Sequence, residues 1–180
     1  MLWKYNETYK SEVNVMSLKV ILLNGASSSG KSTLAESLKK YMKDSKKEEY
    51  SIISIDDFLN MTVDQPIYED DVFEISQSLC QKALDSLKSG HGVIVDHVIT
   101  SERIYKQLTE AWKEYAIITV QVTCPLNELE KREKKRKDRC IGSAKASWEY
   151  LYPQKGYDLT VNTLELSPKE CAKKICELFD

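Results

Sequence analysis

Apolar runs alternate with helical patterns along most of the chain, and together they predict strands and helices in turn. The run Val20-Ile21-Leu22-Leu23 is apolar without a break, as expected of a strand covered on both faces. Leu34, Ala35, Leu38, Tyr41 and Met42 then recur at three- and four-residue spacing and predict a helix starting near Lys31. A charged turn over residues 44–49 leads into Tyr50-Ser-Ile-Ile-Ser-Ile55, a second strand rich in β-formers. Val72, Ile75, Leu79, Ala83 and Leu87 mark a long amphipathic helix ended by Gly90 and Gly92, and Val93-Ile-Val-Asp96 is a third strand.

Ser101 can cap a helix whose apolar face is Ile104, Leu108, Ala111, Trp112 and Tyr115, and residues 116–123 form a fourth strand. Leu126 and Leu129 anchor the next helix, and residues 156–162 suit a fifth strand. Ser167-Pro-Lys-Glu170 is a reciprocal cap with Pro168 at its favoured first position, opening a last helix with Ala172, Ile175, Cys176 and Phe179 inward. Trp148, Tyr150 and Tyr152 are expected to pack the returning segment against the sheet. Residues 58–71 show no period and read as an irregular excursion, either a substrate contact or a plain surface loop.

Composition narrows the class. At 180 residues the chain suits one compact domain over 18–180, preceded by a loosely held polar extension at 1–17 that lacks the apolar core of a signal peptide. No apolar run is long enough to span a membrane, and a net charge of −2 argues against a protein devoted to nucleic acid. Five cysteines without a C-x-x-C spacing, and only two histidines, argue against a disulfide framework or a zinc site. A reducing, cytoplasmic location is therefore expected.

The chemistry is concentrated between the first strand and the first helix. Gly25-Ala26-Ser27-Ser28-Ser29-Gly30-Lys31-Ser32-Thr33 carries the Walker A pattern at Gly25, Gly30, Lys31 and Ser32. Glycines open backbone conformations closed to other residues, so that successive N–H groups can face an anion at the positive end of the helix. Lys31 is expected to reach the β- and γ-phosphates of a nucleotide, and the Ser32 hydroxyl to ligate Mg²⁺. Asp96, which ends an apolar strand downstream, suits a Walker B acid that holds Mg²⁺ directly or through water.

Asp56 and Asp57 follow the second strand, at the edge where open parallel sheets bind ligands. Asp57 is read as a cap of the next turn, and Asp56 as a base able to accept the proton of an attacking hydroxyl. His97 is read as structural. In the charged run over 131–139, Arg132, Arg136 and Arg139 would share one face of a helix. That run fits a solvated helix, a nucleic-acid patch, or a lid over a triphosphate with Gly142 as hinge.

Taken in order, these residues resemble the chloramphenicol phosphotransferase-like family of P-loop kinases. The likeness rests on the Walker A loop, Ile55-Asp56, Val93-Ile-Val-Asp96 and Cys124-Pro-Leu with Glu128, Glu130, Arg132 and Glu133. It continues through Arg136, Asp138-Arg139, Gly142, Ala144 and Tyr157-Asp158 to the Ser-Pro-x-Glu-Cys-Ala helix. The resemblance implies an α/β fold, a five-stranded parallel sheet with helices on both faces and a helical lid around 126–145. It also implies ATP and Mg²⁺ as cofactors, a small-molecule alcohol as acceptor, Asp56 as general base, and Arg132, Arg136 and Arg139 as lid residues on phosphate. The alternatives are a nucleotide-dependent switch, which needs neither acceptor base nor lid, and a nucleotide or nucleoside kinase, which differs only in its acceptor.

Overall fold

The structure is a computed structural model that describes residues 19–59, 68–136 and 140–179. Its strands are β1 (Lys19–Asn24), β2 (Tyr50–Ser54), β3 (Gly92–His97), β4 (Ala116–Thr123) and β5 (Leu159–Asn162). They form one parallel sheet in the order β2-β3-β1-β4-β5. Parallel neighbours need crossover connections, and these are supplied by α1 (Lys31–Tyr41), α2 (Glu69–Lys88), α3 (Glu102–Ala111) and the pair α4 (Leu126–Lys135) and α5 (Ser143–Glu149), with α6 (Pro168–Cys176) at the end.

Side chains of a strand alternate between faces, so β1 contributes to two cores. Ile21 and Leu23 pack with Leu34 and Leu38 of α1 and with Cys171, Ala172 and Ile175 of α6. Val20 and Leu22 face the other way, against Leu79, Ala83 and Leu87 of α2, Ile104 and Leu108 of α3, and the fully buried Trp112. Burying an aliphatic side chain on this scale contributes about 1.5–3 kcal/mol each, which makes the two clusters the main support of the strand ends that carry the site. The parallel α/β architecture expected from the sequence is the one observed.

Several local expectations are corrected. The helix of the charged run stops at Lys135: Arg136 is extended (φ −88°, ψ 138°), so Arg132 and Arg136 do not share a helical face. Chain reversal is the reason, since residues 142–144 return to cap themselves on Glu133 and open α5, a helix the aromatic pattern did not reveal. Trp148 and Tyr150 are 50% and 68% exposed instead of packed on the sheet, and Tyr152 meets Tyr105 edge-on at 5.8 Å. The fifth strand starts at Leu159; the preceding Asp158 donates its N–H to the Thr119 carbonyl (3.0 Å) and accepts from the Thr119 N–H (2.7 Å) and hydroxyl (2.8 Å).

After β2 comes a 3₁₀ turn, Ile55–Asp57, capped by Ser54 and not by Asp57: Ser54 Oγ accepts from the Asp56 N–H at 3.3 Å. The buried Met42 opens a π-helical turn, Met42–Lys46, whose residues 43–45 are exposed, so the charged surface turn expected over 44–49 starts as a further helical turn. Residues 69–71 of the irregular excursion form the first turn of α2, whereas 60–67, like the extension at 1–17, lie outside the described residues. Among the described residues no helix is long and apolar enough to cross a membrane.

Candidate active site

The Gly25–Gly30 loop joins the buried end of β1 to the start of α1. A Cβ on Gly25 would lie 2.3 Å from the Val122 carbonyl oxygen, so only glycine allows β4 to pass this close. Ser28 (φ 65°) and Gly30 (φ 93°) both take left-handed conformations, which curl the loop around the helix N-terminus. Ser28 Oγ and Ser29 Oγ are buried without a hydrogen-bond partner among the described residues. Two unsatisfied hydroxyls beside a positive helix end fit phosphate oxygens, which would supply the missing partners. Thr33 is exposed on the first turn of α1.

Lys31 is 6% exposed; its Nζ donates to the Ala26 carbonyl at 3.0 Å and stands 4.0 Å from Asp96 Oδ1. Ser32 Oγ donates to Asp96 Oδ2 at 2.6 Å, so the two residues read as magnesium ligands lie side by side, one from the start of α1 and one from the end of β3. Among the described residues no group of three or more His, Cys, Asp or Glu can hold a metal unaided. A cation here would depend on nucleotide phosphates and water, as Mg²⁺ commonly does, and the hydroxyl–carboxylate pair offers the hard oxygen donors it prefers.

Asp56 stands two residues beyond Ser54, and Ser54 is the register partner of Asp96. The half-buried Asp56 therefore lies on the strand-end edge that also carries Asp96, while Asp57 is exposed. His97 ends β3 fully buried, with Nε2 3.3 Å from Ser76 Oγ of α2. Burial pushes its imidazole from the ordinary 6.5 down to about 4, and the charges of Lys31 and Asp56 both reach it.

A buried neutral histidine links stability to pH with a definite sign. Below pH 6.5 the unfolded chain takes up a proton that the folded chain refuses until about pH 4, so stability is lost as pH falls through that window. The slope attributable to His97 is at most about 1.4 kcal/mol per pH unit. Thermal unfolding of the metal-free protein between pH 7.5 and 4.5 should be steeper in the wild type than in His97→Gln, and equal slopes would show that His97 is not the group responsible.

Arg132 reaches back to the phosphate loop. Its Nη1 donates to Thr163 Oγ1 (3.0 Å), Nη2 to the Thr163 carbonyl (3.3 Å) and Nε to Glu128 Oε1 (3.3 Å). Thr163 in turn donates to the Ser29 carbonyl at 2.7 Å, and a Cβ on Gly30 would sit 3.7 Å from Arg132 Nη1. The guanidinium thus stands at the mouth of the loop. Arg136 is exposed beyond the end of α4, and Arg139 lies outside the described residues.

Sequence reasoning passed over three supports. Thr163 follows β5 in a stretch with no periodicity, and Ser147 of α5, whose hydroxyl accepts from the Ser27 N–H at 2.9 Å, gave no signal of its own. The third is Asn24, which ends β1. Its side chain accepts from the Ile99 N–H (2.9 Å) and donates to the Tyr152 carbonyl and the Tyr157 hydroxyl (both 2.8 Å), tying β1 to two distant loops. A polar residue ending an otherwise apolar strand was the available clue.

Fold and loop together define a P-loop phosphotransferase of kinase-like architecture. The profile of the chloramphenicol phosphotransferase-like proteins matches residues 18–180, and the chain belongs to that family. Among solved structures, the APS kinase of Mycobacterium tuberculosis in complex with AMPPNP and APS is similar at a TM-score of 0.72 with 19% identity, over 90% of this chain and 97% of that one. A gluconokinase from Sinorhizobium meliloti (TM-score 0.66, 19% identity, 89% and 95% covered) and the tunicamycin resistance protein of Deinococcus radiodurans (TM-score 0.60, 15% identity, 90% and 95% covered) share the fold. No curated protein matches the chain.

Proposed function

We propose that this protein transfers the γ-phosphate of ATP to a hydroxyl of a small molecule, as a chloramphenicol 3-O-phosphotransferase-like enzyme. The observation that carries the reading is the alignment of three groups along one edge: the Ser32–Asp96 pair at 2.6 Å, Lys31 beside it, and Asp56 beyond the register partner of Asp96. A nucleotide switch needs the first two and has no use for the third.

In this reading the acceptor oxygen attacks the γ-phosphorus, its proton passes to the Asp56 carboxylate, and the bond to the β–γ bridging oxygen breaks to release ADP. The loop amides and Lys31 hold the β- and γ-phosphates, and Arg132, Arg136 and Arg139 offset charge on the transferred group. Mg²⁺, held by Ser32 and Asp96, would supply further charge neutralisation when bound. The names of the similar proteins, an APS kinase, a gluconokinase and a tunicamycin resistance protein, belong to those proteins and set the range of acceptors to be searched.

The test is to incubate the protein with γ-labelled ATP, Mg²⁺ and a pooled set of alcohols that includes chloramphenicol, tunicamycin, gluconate and nucleosides, and to look for a labelled product. A phosphorylated antibiotic or sugar supports the reading, and a phosphorylated nucleoside or nucleotide moves the protein to the nucleoside-kinase alternative. Tight Mg·ATP binding without transfer to any member would favour the switch.

A further inference from the structure

Glu133 lies in the last turn of α4 and is 3% exposed, unusual for a carboxylate in a run so rich in surface charge. Both of its oxygens are engaged. Oε2 accepts from the Gly142 N–H at 2.9 Å, and Oε1 accepts from the Ser143 hydroxyl and the Ala144 N–H, each at 2.7 Å. Burial alone would raise its pKa, but these donors hold it below the ordinary carboxylate range, so it stays an anion.

The same residue holds the outgoing chain, because the Arg136 N–H donates to the Glu133 carbonyl at 2.9 Å. Arg136 at the end of α4 and residues 142–144 at the start of α5 are thus both tied to one residue. From there the connection runs inward. Ser147, one turn along α5, donates to the Ser143 carbonyl at 2.6 Å and accepts from the Ser27 N–H of the phosphate loop, while Ala144 packs with Ala26, Cys124 and Leu129.

We propose that Glu133 is a positioning residue for phosphoryl transfer: it clasps the start of α5 to the end of α4, where Arg136 begins, and through α5 and Ser147 registers that end of α4 against the phosphate loop. The inference rests on the reading of Arg136 as a phosphate-binding residue of a kinase. Its chemistry distinguishes it from ordinary packing. Glutamine has the same shape, but one of its two acceptor oxygens becomes an NH₂ group that would face the Gly142, Ser143 or Ala144 donors, so the clasp should open without a cavity being created.

The experiment compares wild type, Glu133→Gln, Arg136→Ala and the double variant by steady-state kinetics with ATP and whichever alcohol of the pooled assay becomes labelled, alongside thermal unfolding of each. Glu133→Gln should lower kcat by about 10- to 100-fold, the scale of a displaced catalytic group, with the KM values for ATP and acceptor changed less than about threefold. In the Arg136→Ala background the same substitution should cost less than about twofold, because the residue it acts through is gone.

Full additivity with Arg136→Ala, an unchanged kcat, or a loss that only tracks the fraction of folded protein would each overturn the proposal. Should Glu133→Gln fail to fold, Ser143→Ala removes one donor and keeps both backbone amides; it should give a smaller fall in kcat with the same non-additivity, and a fully additive effect would be equally fatal. If the wild type transfers phosphate to no acceptor and not even to water, the kinase reading fails and the positioning role fails with it. A transferring wild type whose Glu133→Gln variant matches it sinks the clasp alone.

Discussion

Asp56→Asn is expected to leave Mg·ATP binding nearly intact while cutting phosphoryl transfer by about two to four orders of magnitude, the range of a lost general base. The argument is positional. Asp56 follows β2 in a short capped turn, two residues past the partner of Asp96, and is separated from the phosphate loop by β3 alone in the strand order. An amide of the same size keeps the packing of the turn and the Ser54 cap, which involves only the Asp56 backbone, yet cannot accept the acceptor proton.

Asp96→Asn should behave differently. It weakens the acceptor of the Ser32 hydroxyl and the neighbour of Lys31, so Mg·ATP affinity and metal dependence should change before anything specific to the acceptor does. Isothermal titration with Mg·ATP and single-turnover transfer, run on both variants, separate the two roles. Full transfer by Asp56→Asn together with its loss in Asp57→Asn would move the base to the exposed neighbour. Full transfer by both would remove the base from the mechanism.

Lys31→Ala is expected to weaken nucleotide binding and to lower turnover by about 10²- to 10³-fold or more, as when a charge-stabilising donor is taken from a transferring group. Lys31 is buried with its ammonium between the Ala26 carbonyl and Asp96, so its alanine variant also removes the cation 4.0 Å from Asp96 Oδ1. Arginine cannot substitute, because its planar fork does not reproduce a point charge in so closed a loop. Unchanged affinity for ATP and an unchanged rate in Lys31→Ala would end the assignment of this loop to nucleotide.

Much of this site was legible in the chain because its parts are local. The loop motif, the unbroken apolar run before it and the helix after it occupy consecutive residues, so backbone permissiveness and periodicity could be read directly from residues 19–42. Family membership and the parallel architecture followed from the same ordered set of short motifs. The boundary errors arose where local preference met distant partners. A run of Lys and Glu has every propensity to continue as helix past Lys135, yet Glu133 is worth more as a buried acceptor for the chain returning at 142–144 than as one more surface charge.

What the sequence by itself determined was the chemistry on hand: a phosphate-cradling loop, two acids at strand ends and a cluster of arginines, each defined by residue type and near-neighbour spacing. Tertiary structure alone decided which of these meet. Strand order set Asp96 against Ser32 across 64 residues, Thr163 bridged Arg132 to a loop more than a hundred residues earlier, and Ser147 reached Ser27 from a helix with no periodic signature. Such contacts join side chains whose own neighbours in sequence are unconstrained by them. Periodicity reports only which face of an element is buried, and the identity of the residue on the other side is settled when the elements pack and most buried polar groups find a partner.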